Sequence, residues 1–168
     1  FKKSHVGIQY YIEKRIVYDA QFWGTADYVL TGHNRKTKQF ECIICDFKYG
    51  KGVEVNAEEN EQLLCYILCL QQELKTTFDK AHCFIFQPRT PGQEFTRWSV
   101  DYQIIRSAES TIIKNKEECI RLISTGVTDA DLFAGEHCRF CDAKMHCSAY
   151  KNELNSTQLK VLDEIPEV

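Results

Sequence analysis

The sequence predicts a mixed α/β domain in which helices flank a β-sheet. Three observations carry this. Three segments rich in β-branched and aromatic residues follow one another, separated by turn formers. A stripe of apolar residues at helical spacing comes next. A short continuous apolar run after it suits a strand inside a sheet.

The first strand is expected over residues 6–18, VGIQYYIEKRIVY, and the second over 22–31, FWGTADYVLT. The polar stretch GHNRKTKQ, with Gly32 and Asn34, reads as a turn. Residues 40–48, FECIICDFK, make the third strand, so the three suggest an antiparallel meander. A helix then starts with Asn56 as N-cap and Glu58 and Glu59 in its first turn, and runs to about Thr76. Leu63, Ile67, Leu70 and Leu74 form its buried stripe, with Gln62, Tyr66 and Cys69 beside it. Strands are expected over 82–87 and, at an edge, over 95–105, with a helix over 108–125. An irregular segment after Gly126 leads to a cysteine-rich stretch, 135–150, within a domain of residues 1–154; residues 155–168 read as a polar tail.

The chain has 168 residues, 43% hydrophobic and 27% charged, enough for one domain with a real core. No apolar stretch approaches the roughly 20 residues that cross a bilayer, and no signal peptide is visible. The first residue is Phe1, not Met, so a segment upstream is expected. A net charge of -3 argues weakly against a nucleic-acid partner, although a basic groove can sit within an acidic total. Nine cysteines, an odd number without a signal peptide, do not look like a secreted disulfide framework. Six of them, Cys42, Cys45, Cys65, Cys69, Cys83 and Cys119, read as small buried hydrophobes.

Asp46 and Lys48 end the third strand. Residues two apart share a face, so both project the same way. Asp27, after Gly24 on the preceding strand, can lie opposite them. Facing carboxylates repel unless a cation sits between, and hard oxygen ligands suit Mg²⁺ or Mn²⁺. D-x-K alone is a common tripeptide and equally describes a solvated strand end. Gln62 and Tyr66 stand at i and i+4, so one helical face can present both.

Taken in order, Gly24-x-x-Asp27, Asp46-x-Lys48 and Gln62-x-x-x-Tyr66 resemble the RecB-like branch of the PD-(D/E)XK nucleases over about residues 10–150. The fragments GTADYVL, DFKYGKGVEV and NEQLLCY look like a phage-borne group within it. The resemblance implies a restriction-endonuclease-like sheet and a Mg²⁺- or Mn²⁺-dependent deoxyribonuclease, an exonuclease, acting in phage or prophage DNA recombination or processing. It implies DNA and a protein complex as partners, and the bacterial cytoplasm or a phage-infected cell as location. Under it Asp27 and Asp46 hold the metal, Lys48 serves catalysis, and Gln62 and Tyr66 contact the site or the DNA. Glu13 is a further candidate acid; a salt bridge with Lys14 or Arg15 describes it equally well. Arg35, Lys36, Lys38, Lys51, Arg139 and Lys144 are candidate phosphate contacts. The family's upstream helical His or Glu would precede Phe1. The alternative function is a catalytically silent nucleic-acid-binding or scaffold protein that keeps the fold.

Cys138, Cys141 and Cys147 are spaced C-x2-C-x5-C, close enough to chelate a soft ion. A closed site needs a fourth ligand. Zn²⁺ would take His137 or His146. A [4Fe-4S] cluster would take a cysteine elsewhere, with Cys119 a local candidate. The spacing resembles the iron–sulfur CRISPR-associated exonucleases of the same branch, which implies a structural cluster whose fourth cysteine lies near the N-terminus.

Overall fold

The structure is a computed structural model that describes residues 1–50 and 53–163, the last seven of these by backbone alone. It divides into two compact units, Phe1–Lys116 and Glu117–Val168.

The first unit is a five-stranded mixed sheet in the order β1 (His5–Val17), β2 (Trp23–Asn34), β3 (Phe40–Phe47), β4 (Lys80–Phe86) and β5 (Phe95–Asp101). The first three strands form the antiparallel meander; β3 and β4 are parallel, and β5 returns antiparallel. Parallel neighbours need a long crossover. Helix α1 (Glu61–Leu74) provides it. Leu63, Ile67 and Leu70 of α1 are fully buried against Ile16, Val29, Ile44 and Ile85 of the sheet. Leu74 packs at the margin of that cluster.

Helix α1 starts later than its sequence suggests. Its N-cap is Asn60, whose Oδ1 accepts from the Leu63 N–H at 3.1 Å. Asn56 instead closes a local turn by accepting from the Glu58 N–H. Glu59 adopts a left-handed φ of 55°, which no helix interior accommodates, so Glu58 and Glu59 lie outside and Glu61 is the first-turn acid. We expect Asn60→Ala to lower the unfolding free energy by about 1 kcal/mol. Asn56→Ala should cost less, and denaturant titration of both variants checks the assignment.

The last strand is also shorter than expected. Asp101 Oδ1 accepts from the Ile104 N–H and starts α2 (Tyr102–Thr125) directly after β5. In this unit α2 buries Ile105 and packs Ala108 and Ile112 beside the core.

The second unit holds the end of α2, three short 3₁₀ turns (Asp129–Asp131, Glu136–Phe140 and Lys144–His146) and α3 (Ser148–Asp163). Helix α3 therefore continues into the segment whose composition suggested a tail. Ser148 Oγ donates to Asp129 Oδ1 at 2.7 Å and ties the start of α3 to the first turn.

Of the six cysteines expected to be buried, Cys42, Cys69 and Cys83 are, and Cys45 and Cys65 are half-buried. Cys119 is exposed on α2, which corrects its assignment to the core. Burial pushes the Cys69 thiol up to about 11 and the Cys83 thiol to about 12. Such thiols stay protonated and inert at neutral pH.

Candidate active site

The C-terminal end of β3 gathers a polar cluster against α1. Asp46 is only 3% exposed. Its Oδ1 accepts from Gln62 Nε2 at 3.2 Å. Its buried Oδ2 has no hydrogen-bond partner among the described residues; the Lys48 ammonium stands 2.8 Å away as an ion pair without hydrogen-bond geometry. The same ammonium donates to Gln62 Oε1 at 2.8 Å. Gln62 thus bridges acid and base with the two ends of one amide, and its Nε2 also donates to the Tyr66 hydroxyl at 2.7 Å. Period two on the strand and i, i+4 on the helix bring Asp46, Lys48, Gln62 and Tyr66 together.

Asp27 meets the end of β3 from β2 through the backbone. Its Oδ2 accepts from the Phe47 N–H at 2.7 Å, between Asp46 and Lys48 in sequence. Ala26 and Val29, three apart on β2, are both fully buried. Glu13 lies across from Asp27, between Ile12 and Lys14, the partners of Tyr28 and Ala26. It is exposed and carries a left-handed φ of 47°. Neither expected salt-bridge partner serves it: Lys14 pairs with Glu73 at 2.6 Å, and Arg15 lies over the Trp23 ring.

Of two supporting residues, Gln87 carries no motif signal of its own, whereas Gly24 belongs to the Gly24-x-x-Asp27 motif. Gln87, buried at the end of β4, accepts from the Val55 N–H and donates to the Val53 carbonyl. It pins the approach to α1, and so the placement of Gln62. Gly24 seats the Tyr66 ring: a Cβ there would come within 2.6 Å of Tyr66 Cε1. We expect Gly24→Ala to destabilise by about 1–3 kcal/mol through overpacking. In a Tyr66→Ala background the same change should cost little, and equal cost in both backgrounds, read by denaturation, contradicts the contact.

The chemistry of the donor set suits a hard divalent cation at Asp27 and Asp46. Mg²⁺ is commonly held by one or two carboxylates, with waters and substrate phosphates completing its shell.

The cysteine segment differs. Cys138 is buried, Cys147 half-buried and Cys141 exposed. Among the described residues no three His, Cys, Asp or Glu side chains gather so as to hold a metal. His137 is engaged with the Phe133 carbonyl, and His146 is exposed. Of the expected phosphate contacts, Arg35 donates to the His5 carbonyl and Lys144 to that of Arg139. Lys51 lies outside the described residues. No described helix is long and apolar enough to cross a membrane.

A family model described as "Protein of unknown function (DUF2800)" matches residues 2–166. Among solved structures, the chain is similar to one titled "Crystal structure of SSO0001", at 16% identity and a TM-score of 0.33. That match covers 84% of this chain and 60% of the other, so the chain spans less than two thirds of its length.

Proposed function

The chain belongs to the DUF2800 family, and within it we propose a metal-dependent deoxyribonuclease with a restriction-endonuclease-like fold of the RecB-like kind. The observation that carries the reading is the nearly fully buried Asp46 carboxylate, faced at 2.8 Å by the Lys48 ammonium at the end of β3. An isolated buried charge is costly, and proteins retain one where it is paired or binds a cation.

Asp27 and Asp46 would hold Mg²⁺ or Mn²⁺. A divalent ion so held polarises a phosphodiester and lowers the pKa of a bound water. Gln62 fixes the Lys48 ammonium through its carbonyl oxygen and the Asp46 carboxylate through its amide nitrogen. Lys48 thereby presents a fixed positive charge where negative charge builds on the attacked phosphate. Tyr66 holds the Gln62 amide from the far side. End-directed attack, action in phage or prophage DNA processing, and a protein complex around it belong to the same proposal, as does a cytoplasmic location.

End-labelled DNA incubated with the protein and Mn²⁺ should be shortened, and excess chelator should stop it. Intact DNA under every divalent ion tried, with binding retained, would favour the catalytically silent nucleic-acid-binding or scaffold reading. A [4Fe-4S] cluster or Zn²⁺ at Cys138, Cys141 and Cys147 is a separate proposal that takes no part in this chemistry. Metal analysis of anaerobically purified protein beside Cys138→Ser tests it.

A further inference from the structure

The side chains of β3, β4 and β5 that alternate away from α1 include exposed aromatic rings at the same end of the sheet as the Asp46–Lys48 pair. Phe47, Tyr49, Phe86 and Phe95 are 47%, 63%, 38% and 56% exposed. Phe47 and Tyr49 lie nearly parallel, 16° apart with centroids 6.0 Å apart, and Phe86 stands 5.5 Å from Phe47. Phe95 pairs directly with Phe86 across the β4–β5 ladder. Apolar rings held together in water on an ordered surface mark a contact site.

The surroundings of these rings select the partner. The Arg89 guanidinium lies over the Tyr49 ring at 4.8 Å. Arg97, two residues along β5 from Phe95, is exposed on the same face. Flat faces interleaved with guanidinium groups suit a polyanion that carries flat rings. Base–aromatic stacking is available to an unpaired strand, because duplex bases already stack on one another. Phe47 and Tyr49 also flank Lys48 in sequence; alternation sends Phe47, the last residue of β3, to the face opposite Asp46, and Tyr49 just beyond it stacks on Phe47. A flexible strand crossing the end of β3 would meet the rings on one side and the acid–lysine pair on the other.

From this geometry we infer that Phe47, Tyr49, Phe86 and Phe95 form a base-stacking platform for single-stranded DNA, delivering it past the end of β3 to Asp46 and Lys48. The inference deepens the nuclease reading and rests on it for the delivery step only.

Binding is measured by fluorescence anisotropy of labelled oligothymidylate in chelator, at fixed salt, so that no cleavage intervenes. An abasic backbone of equal length and a duplex are run beside it. Phe47→Ala and Tyr49→Ala should each weaken oligothymidylate binding about five- to a hundredfold. Binding of the abasic backbone should be unchanged, and the duplex should bind more weakly than the single strand. Phe47 is 47% and Tyr49 63% exposed, and thermal denaturation checks that each variant folds; Tyr49→Ala carries the test if Phe47→Ala does not. Unchanged oligothymidylate binding in the folded variants would overturn the platform. So would tighter binding of the duplex. Absence of oligonucleotide binding together with ring-dependent self-association would assign the face to a protein partner and overturn it equally. Ring-dependent binding by a protein that digests no DNA would remove the nuclease reading and leave the platform standing.

Discussion

Asp46→Ala and Lys48→Ala should each lower Mn²⁺-dependent digestion of DNA by at least about a hundredfold, the scale seen when one preorganised charge-stabilising group is removed. The two losses have different origins. Asp46→Ala removes a carboxylate proposed to hold the metal and leaves the Lys48 ammonium bonded to Gln62 alone. Lys48→Ala leaves the carboxylate pair intact, so metal uptake should survive while turnover falls. Gln62→Ala should have a smaller effect, because Lys48 and Asp46 still face each other at 2.8 Å. Rates of end-label release at saturating Mn²⁺ rank the three variants. Equal digestion by wild type, Asp46→Ala and Lys48→Ala removes the active-site assignment.

The second large effect concerns stability. Glu41, 4% exposed at the start of β3, accepts from His5 Nε2 at 3.0 Å and from Asn34 Nδ2 at 3.0 Å, with His82 Nε2 at 3.4 Å. Removing one partner of a buried polar network leaves the others unsatisfied. We expect Glu41→Ala to cost about 3–5 kcal/mol. Burial pushes the Glu41 carboxyl up, and the hydrogen bonds from His5, Asn34 and His82 outweigh it, so the group titrates below its ordinary 4.5. The folded state therefore binds fewer protons at this site than the unfolded chain. The stability it contributes is complete above about pH 4.5 and is lost as pH falls through the folded value. Glu41→Gln removes the titration and keeps an acceptor, so its stability should fall less than wild type between neutral pH and pH values below that range. Parallel denaturation curves across pH would contradict this account.

Local periodicity made much of the fold and part of the site readable. The meander, α1 and β4 follow from runs of two-residue or 3.6-residue period, and the same periods place Asp46 with Lys48 and Gln62 with Tyr66. The boundaries were harder to read. The sequence NAEEN offers two competing asparagine caps, and the left-handed backbone of Glu59, which decides between them, has no local signature. Asp101 starts a helix where the β-rich pattern still runs. The left-handed backbone of Glu13, across from Asp27, likewise has no local signature. The Glu41 network escaped the sequence entirely, because its members come from four different strands. The apolar helical run around Cys119 suggests an inward face, whereas Cys119 is exposed and α2 buries only Ile105.

The most direct test is uptake of Mn²⁺, followed by loss of the free-ion electron paramagnetic resonance signal, in wild type and in the Asp27→Asn/Asp46→Asn double variant. Wild type should remove the ion from solution and the correctly folded double variant should not. Equal uptake by both would mean that these two carboxylates do not share a cation.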